Sequence, residues 1–410
     1  MPEPTDPTAD GAPLPPPAPE TVAITAGRAH NGAALAPVLW GSSTFVSPDA
    51  ASAFADATSI GSTGFYSRYG NPTVADFEEA VAALEGAEAA RAFGSGMGAV
   101  CAVVLGLCST GDHIVSQRQL YAGTQLLLQS VCPRFGIDVT FVDGTEPGAF
   151  AAAVIPGKTT LVLAETPANP RLDLVDLDEL GAIAGPITVV DSTFATPMLQ
   201  QPLAHGVDLV VHSATKSIGG HNDATLGVVA GAKELVDWLW GFAVLQGAVA
   251  SPFDAMNGLR GIRTLGVRMQ RQCSTAGYLA ERLVARPDVA EVRYPGLPDH
   301  PQHELARRQM RGFGGMICFD VAGGRDGGRA FVEATRVARL ASSLGGPETL
   351  VTHPASTTHV NLLPDELAAV GIGPGTIRMS VGLEDPADLW ADLVQALEVA
   401  ATAAADADAG

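Results

Sequence analysis

Short hydrophobic runs alternate with segments of helical periodicity along the middle of the chain. Six runs rich in β-branched residues, each bounded by Gly, Pro or Asp, predict strands: "GDHIVSQ", "IDVTFVD", "TTLVLAETP", "ITVVDSTF", "VDLVVHSAT" and "LGVVAG". Residues 77–92 have apolar positions at helical spacing and predict a helix. Strands that are apolar throughout are typical of a mainly parallel sheet covered on both faces. The pattern therefore predicts an α/β fold, in which ligands bind at the carboxyl ends of strands.

A second pattern occupies the C-terminal part of the chain. Residues 251–283 form a long amphipathic helical segment that we expect to lead into another domain. Strand-like runs "GGMICFDV" and "ETLVTHP" follow, and "DPADLWADLVQALEVAATAAA" predicts a closing helix with an acidic first turn. Together they predict a smaller α+β domain.

Composition and charge exclude several classes of protein. The 410 residues are 47% hydrophobic and carry a net charge of −20 without a basic run, which argues against a nucleic-acid or membrane partner. No apolar run has the roughly 18 residues of a membrane span, and the acidic, proline-rich start does not resemble a signal peptide. Five cysteines without C-x-x-C or zinc spacing predict free thiols, no metal site and a cytoplasmic location.

Lysine occurs at only three positions, and one of them is unusual. Lys158 follows a Pro-Gly turn and Lys233 opens a helix, so both are expected at the surface. Lys216 instead follows the buried strand "DLVVHSAT" and precedes a glycine pair. A desolvated lysine with a lowered pKa is what imine chemistry requires. The alternative is a structural lysine whose side chain reaches solvent from the strand end.

Other polar groups are expected at the same edge of the sheet. Asp191 ends an apolar strand and needs a cation or a donor, such as a protonated ring nitrogen, although it could also cap a turn. Ser213 and Thr215 are two positions apart, and residues two apart in a strand point the same way, so their hydroxyls could face one small anion together. In residues 93–107 glycines open onto an apolar helix whose free amides attract anions.

The glycine pattern also fits a different cofactor. Gly94-x-Gly96-x-x-Ala99 matches the dinucleotide fingerprint, so a nicotinamide oxidoreductase is an alternative. The fingerprint requires a buried strand before the glycines, whereas the helical periodicity of 77–92 predicts none there.

Two further residues complete the candidate site. Tyr121 follows a strand and could stack on a flat heteroaromatic ring, and Asn169 lies between prolines where its amide could bind a ligand oxygen. A lysine nucleophile, an acid, hydroxyls, free amides and a stacking ring together indicate pyridoxal 5′-phosphate, bound to Lys216.

Ordered motifs after residue 20 resemble the Cys/Met-metabolism family of pyridoxal-phosphate enzymes, which includes cystathionine γ-synthase, cystathionine γ-lyase and methionine γ-lyase. The matching stretches are "YSRYGNPT", "SGMGA", "ETPANP", "VDSTFATP", "HSATKSIGGH", "LRGIRTL", "HPASTTH" and "IRMSVGLED". The resemblance implies fold type I, like aspartate aminotransferase. After a leader over residues 1–20 that the acidic, proline-rich composition predicts to be disordered, we expect an arm for subunit contacts over 21–65, a cofactor-binding domain over 66–265 and a C-terminal domain over 266–410.

The resemblance also implies roles for individual residues. The catalytic residues would be Lys216, Tyr121 and Asp191. The phosphate would bind Ser213, Thr215 and the amides of Gly96 and Met97, with Tyr66 and Arg68 reaching it from a neighbouring subunit of a homotetramer. Arg378 would bind the substrate α-carboxylate, with Asn169 and Ser343 close by.

The implied activity is γ-replacement or γ-elimination on sulfur amino acids and homoserine esters, with methionine γ-lyase as the alternative. Gly123 replaces the cysteine typical of methionine γ-lyases, and Ser342 replaces a glutamate common in members that bind cystathionine. A catalytically silent scaffold of the same fold is the third hypothesis.

Overall fold

The computed structural model describes residues 16–357, 360, 367 and 371–408, with side chains in the last helix described as far as residue 403. Residues 1–15 of the predicted leader and the last two residues of "HPASTTH" lie outside this part. Within it, no helix is both long enough and apolar enough to cross a bilayer.

A large sheet forms the centre of the N-terminal part. Its strands are β1 (Ala89–Phe93), β2 (His113–Gln117), β3 (Asp138–Val142), β4 (Thr159–Glu165), β5 (Ile187–Asp191), β6 (Leu209–His212) and β7 (Gly227–Gly231). Their order is β1-β7-β6-β5-β4-β2-β3. β3, β2, β4, β5 and β6 run parallel, and β7 is antiparallel to both of its neighbours. The six predicted strands and the mainly parallel sheet are confirmed.

The strand β1 was not predicted. The helix expected over residues 77–92 ends at Glu85, Gly86 adopts a left-handed φ of 69°, and Ala89–Phe93 pairs with β7. A buried strand therefore does precede the glycine turn, and the reason given above against a dinucleotide site was wrong. Because β1 is antiparallel to β7, it does not begin the parallel βαβ unit of that site.

Helices cover both faces of the large sheet. Val210 of β6 packs in one hydrophobic cluster with Phe77 and Leu259, and Val211 packs in another with Val103 and Leu239. Neighbouring strand residues thus face opposite layers, which explains the continuously apolar runs. The helices are α1 (Pro19–Thr25), α2 (Ala50–Thr58), α3 (Pro72–Glu85), α4 (Gly96–Leu107), α5 (Ala122–Leu126), α6 (Ala149–Ala153), α7 (Leu177–Gly181), α8 (Thr196–Leu199), α9 (Lys233–Gln246), α10 (Pro252–Ile262) and α11 (Leu265–Val284).

A second sheet forms the smaller C-terminal part. Its strands are β8 (Val289–Arg293), β9 (Met316–Val321), β10 (Arg339–Leu340), β11 (Leu350–Thr352) and β12 (Thr376–Ser380), in the order β10-β11-β12-β9-β8. The helices here are α12 (His303–Gln309), α13 (Gly324–Ala334) and α14 (Pro386–Asp408). The predicted long helical segment is two helices, α10 and α11, and the domain boundary proposed at 265/266 falls at the start of α11.

Candidate active site

A cavity of about 540 Å³ lies at the carboxyl edge of the large sheet. Residues at or after the ends of β2, β4, β5 and β6 line it, together with the start of α4, residues 342–344 and the middle of β12. Ten of the predicted site residues meet there: Gly96, Met97, Tyr121, Asn169, Asp191, Ser213, Thr215, Lys216, Ser343 and Arg378.

Lys216 lies in the turn after β6 with its side chain in the cavity. Its Nζ donates a hydrogen bond to Oγ of Ser343 at 2.8 Å. Burial lowers the pKa of Lys216 because it removes water from the charged amine, and the nearby Arg378 guanidinium lowers it further by repelling a second cation. The other lysines are surface residues paired with Asp138 and Asp237, as predicted for their location.

Two carboxylates lie side by side at the base of the cavity. Asp191 ends β5 and Glu165 ends β4, at paired positions of the two parallel strands. Oδ1 of Asp191 accepts hydrogen bonds from the backbone N–H and the hydroxyl of Thr193. Burial raises the pKa of Asp191, and burial together with Asp191 raises the pKa of Glu165 to about 8. An adjacent cation would relieve this repulsion.

The start of α4 forms a tight concave surface against the turn after β6. Oγ of Ser95 caps the helix by accepting from the amide of Gly98, and the amides of Gly96 and Met97 have no intrahelical acceptor in the first turn. A Cβ on Gly96 would lie 2.6 Å from Cβ of Ser213, so only glycine fits. Free amides at a helix N-terminus suit a phosphate group.

The hydroxyls of Ser213 and Thr215 reach this surface for a different reason from the one predicted. The strand ends at His212, so strand alternation does not orient them. Thr215 instead exchanges two hydrogen bonds with the backbone of Leu226, and the amide of Ser213 donates to the hydroxyl of Thr193.

Arg378 is a buried cation on β12. Its Nη1 donates to Oδ1 of Asn169 at 3.1 Å and its Nη2 to the carbonyl of Ser343 at 3.0 Å. Its Nε has no partner within the described residues, where only neutral oxygens contact the guanidinium. Burial lowers the pKa of Arg378 to about 10, so an anion arriving here would be favoured.

Tyr66 and Arg68 do not line the cavity of their own chain. Both are exposed, Arg68 donates to the carbonyl of Val244, and its guanidinium lies 5.6 Å from the centre of the Tyr66 ring. Tyr121 does line the cavity, with its ring beside Met97 and Gly123.

Glu165 and Thr193 were missed in the sequence. Glu165 begins the quoted motif "ETPANP" and ends an apolar strand, which is the signal that identified Asp191.

Fold and site together define a pyridoxal-phosphate-dependent enzyme of fold type I, since a desolvated lysine, two adjacent buried acids and the free amides of a helix start line one cavity. Comparison with known proteins agrees. The family described as Cys/Met metabolism PLP-dependent enzyme matches residues 20–398, and the chain belongs to it. The predicted fold class, the cofactor and the activity, γ-replacement or γ-elimination, are confirmed at the level of the family.

Several relatives are similar over nearly the whole chain. The O-succinylhomoserine sulfhydrylase of Pseudomonas aeruginosa is 44% identical over 92% of this chain and 94% of its own length. The L-methionine gamma-lyase of Pseudomonas deceptionensis is 45% identical over 91% and 94%. The crystal structure of metB from Corynebacterium glutamicum superimposes with a TM-score of 0.85 at 38% identity, covering 96% of this chain and 99% of that one.

Proposed function

We propose that the enzyme catalyses γ-replacement on an O-acylhomoserine, with sulfide or another small thiol as the nucleophile. The observation that carries the proposal is the distribution of charge in the cavity. Its two cations, Lys216 and Arg378, suit an amino acid, whereas neither of its two acids, within the described residues, is left for a second ammonium: Glu165 accepts two backbone amides, and Asp191 is assigned below to the ring nitrogen.

The residues present fit pyridoxal phosphate. The surface at Gly96 excludes a Cβ, Asp191 is a buried acid that lacks a cation, and Lys216 is a desolvated amine. We assign the phosphate to the first amides of α4 with Ser213 and Thr215, the ring nitrogen to Asp191 and the ring face to Tyr121. When bound, the cofactor supplies an aldehyde for amines and an electron-withdrawing ring.

Arg378 binds the α-carboxylate of the substrate. Its guanidinium is held in place by Asn169 and Ser343, so a carboxylate meets a pre-oriented donor. The resulting pair neutralises a cation that is otherwise buried without an anion in the described residues.

Lys216 moves the protons. Its lowered pKa increases the fraction of neutral amine, and a neutral Nζ accepts the proton from Cα of the substrate. The hydroxyl of Ser343, 2.8 Å away, orients Nζ toward the substrate side of the cavity. The same Nζ would pass that proton to the bound cofactor, take one from Cβ as the acyl group leaves Cγ as a carboxylate, and return protons to Cβ and Cα after the thiol has added to Cγ.

The cavity favours a small uncharged nucleophile. Val100, Phe194 and Leu344 are apolar residues of its lining, and Ser342 offers only a hydroxyl. A distal ammonium, as in cystathionine or as cysteine would bring, finds no free carboxylate among the described cavity residues, because Glu165 accepts two backbone amides and Asp191 is assigned to the ring nitrogen.

A substrate panel tests this proposal. Purified enzyme is given O-succinyl- or O-acetylhomoserine with sulfide, with cysteine, or alone, and homocysteine, cystathionine and 2-oxobutanoate are measured. We expect homocysteine to form with a kcat/KM at least about tenfold above that for cystathionine, the discrimination that one unpaired buried charge produces. Preferred formation of cystathionine would overturn the choice of nucleophile. Lys216→Ala should fold, fail to hold the cofactor covalently and lose turnover.

A second candidate is elimination from methionine, as the name of the Pseudomonas deceptionensis relative describes. The apolar residues of the cavity lining accept a methyl thioether as readily as an acyl ester. Release of methanethiol and 2-oxobutanoate from methionine, faster than homocysteine formation, would favour this candidate.

We further propose a cytoplasmic homotetramer, a dimer of dimers, in which Tyr66 and Arg68 enter the site of a neighbouring subunit. The arm before them exposes Leu35, Val46 and Phe54, which supports burial against a second copy. The cysteines are free, which supports a reducing compartment.

A further inference from the structure

Glu165 is an acid in the cavity to which the mechanism above gives no step. It is buried, only 5% exposed, and ends β4. Its Oε2 accepts a hydrogen bond from the backbone N–H of Tyr121 at 2.8 Å, and its Oε1 accepts one from the backbone N–H of Asn169 at 2.8 Å. One carboxylate therefore connects two separate loops.

Each of these loops carries a different part of the site. Tyr121 is the residue before α5, and its ring faces the cavity where the cofactor ring is expected. Asn169 holds Nη1 of Arg378, the proposed carboxylate-binding group. Neither amide lies within a strand, so neither loop is fixed at this point by the sheet ladder.

The geometry of the two contacts requires a carboxyl group, ionised or protonated. Two amide N–H groups point at one side chain, and only a group with two acceptor oxygens satisfies both. A glutamine of the same shape offers one oxygen, and its NH₂ would face the second N–H donor. Hydrogen bonds to an ionised acceptor are also stronger than those between neutral groups.

We propose that Glu165 is a positioning residue that joins the stacking tyrosine loop to the substrate-carboxylate loop, so that the cofactor face and Arg378 keep a fixed separation. The role of the two loops in catalysis rests on the proposed function, whereas the coupling of the loops does not.

Amide hydrogen exchange of the cofactor-free protein tests the coupling directly. Labelling is done above pH 8, where Glu165 is ionised, on wild type and Glu165→Gln. We expect exchange at Tyr121 and Asn169 to rise roughly tenfold or more in the variant, the effect of losing a charge-assisted hydrogen bond. Exchange in β2 and β5 should not change. The control is Glu179→Gln, which removes an exposed carboxylate whose Oε2 accepts one backbone amide, that of Gly148, far from the cavity.

Steady-state kinetics provide a second test of the positioning role of Glu165. With the preferred substrate, Glu165→Gln should raise KM and lower kcat together, because both loops loosen, and the circular dichroism of the bound cofactor should weaken. Unchanged exchange at either amide would overturn the proposal, even if activity falls, because Glu165 would then act only through its charge beside Asp191. If the variant does not fold, exchange in the wild-type protein is the test. The amides of Tyr121 and Asn169 must then be as protected as those of strand β4, and fast exchange at either of the two refutes the coupling. If the substrate panel contradicts the proposed function, the hydrogen-exchange result still decides whether Glu165 couples the two loops.

Discussion

Space rather than backbone conformation limits the side chain at two positions, one in the cavity and one beside it. Neither Gly96 nor Gly123 has a positive φ. A Cβ on Gly96 would press on Ser213, and a Cβ on Gly123 would lie 2.5 Å from Cε1 of Tyr121 and 3.1 Å from Sδ of Met97. The identity of residue 123 therefore decides where the tyrosine ring lies, which gives a physical meaning to the substitution noted in the sequence.

Gly123→Ala tests this relation. The added methyl should displace the Tyr121 ring, change the absorption of the bound cofactor and lower the free energy of unfolding by about 1–3 kcal/mol through overpacking. The control is Gly241→Ala in α9, where no atom lies within 4 Å of the new Cβ and helix propensity should add about 0.5–1 kcal/mol. Equal effects of the two substitutions would contradict the steric explanation.

The buried acid Glu165 should make stability depend on pH. Its pKa rises from 4.5 to about 8, so between these values the folded chain holds a proton that the unfolded chain has released. The free energy of unfolding should therefore fall as the pH rises from about 4.5 to about 8. Asp191 and Arg378 are the charged groups that face it.

Urea unfolding of the cofactor-free protein at a series of pH values measures this effect. The glutamine in Glu165→Gln does not titrate. As the pH rises across that window, the free energy of unfolding of wild type should therefore fall relative to that of the variant. Glu179→Gln, at an exposed position, should run parallel to wild type. Parallel curves for Glu165→Gln as well would count against the raised pKa.

At the scale of elements, one buried contact fixes helix α3 to strand β6 just before the cofactor-binding turn. Oε1 of Glu85, the last residue of α3, lies 2.6 Å from Nε2 of His212, the last residue of β6, and both side chains are essentially inaccessible. Oε2 of Glu85 has no partner within the described residues. A carboxylate at the negative end of a helix depends on its remaining donor.

His212→Leu should therefore cost about 3–5 kcal/mol, because it leaves a buried carboxylate without a donor. The second substitution Glu85→Met, added to the first, should recover most of the loss, since two apolar side chains can replace the pair. Chemical unfolding of the cofactor-free proteins measures both. A double variant as unstable as the single one would show that packing, and not the unpaired acid, sets the cost.

At the scale of the whole molecule, the cavity is assembled from both sheets. Lys216, Asp191 and Tyr121 come from the large sheet, and Arg378 and Ser343 come from the C-terminal part. Tyr66 and Arg68 lie outside the cavity of their own chain, so the proposed complete site needs a second subunit.

Mixed oligomers test this sharing of the site. Lys216→Ala and Arg68→Ala should each be nearly inactive, yet chains produced together should recover about a quarter of wild-type activity, because random two-fold pairing restores one site in each mixed dimer. Separately purified variants mixed without dissociation are the control. Absence of recovery in verified mixed oligomers would place Arg68 outside the site.

Much of the fold follows from local pattern. Four of the six predicted strands, β4 to β7, are apolar over most of their length because both faces of the sheet are covered there, and that signal survives in the sequence. β1 carries no such signal, since "AARAF" is poor in β-branched residues and includes Arg91, which pairs with Glu78 of α3. Its pairing with β7, about 140 positions away in the chain, makes it a strand.

The sequence by itself singled out most of the residues proposed to carry the chemistry, because a lysine or an aspartate at the end of an apolar strand is costly wherever the chain folds. It could not determine distances. Only the tertiary structure placed Glu165 beside Asp191 and against the amide of Tyr121, and brought Arg378 to Asn169 across 209 positions. These contacts join distant segments, and their energies depend on burial, which the order of residues does not specify.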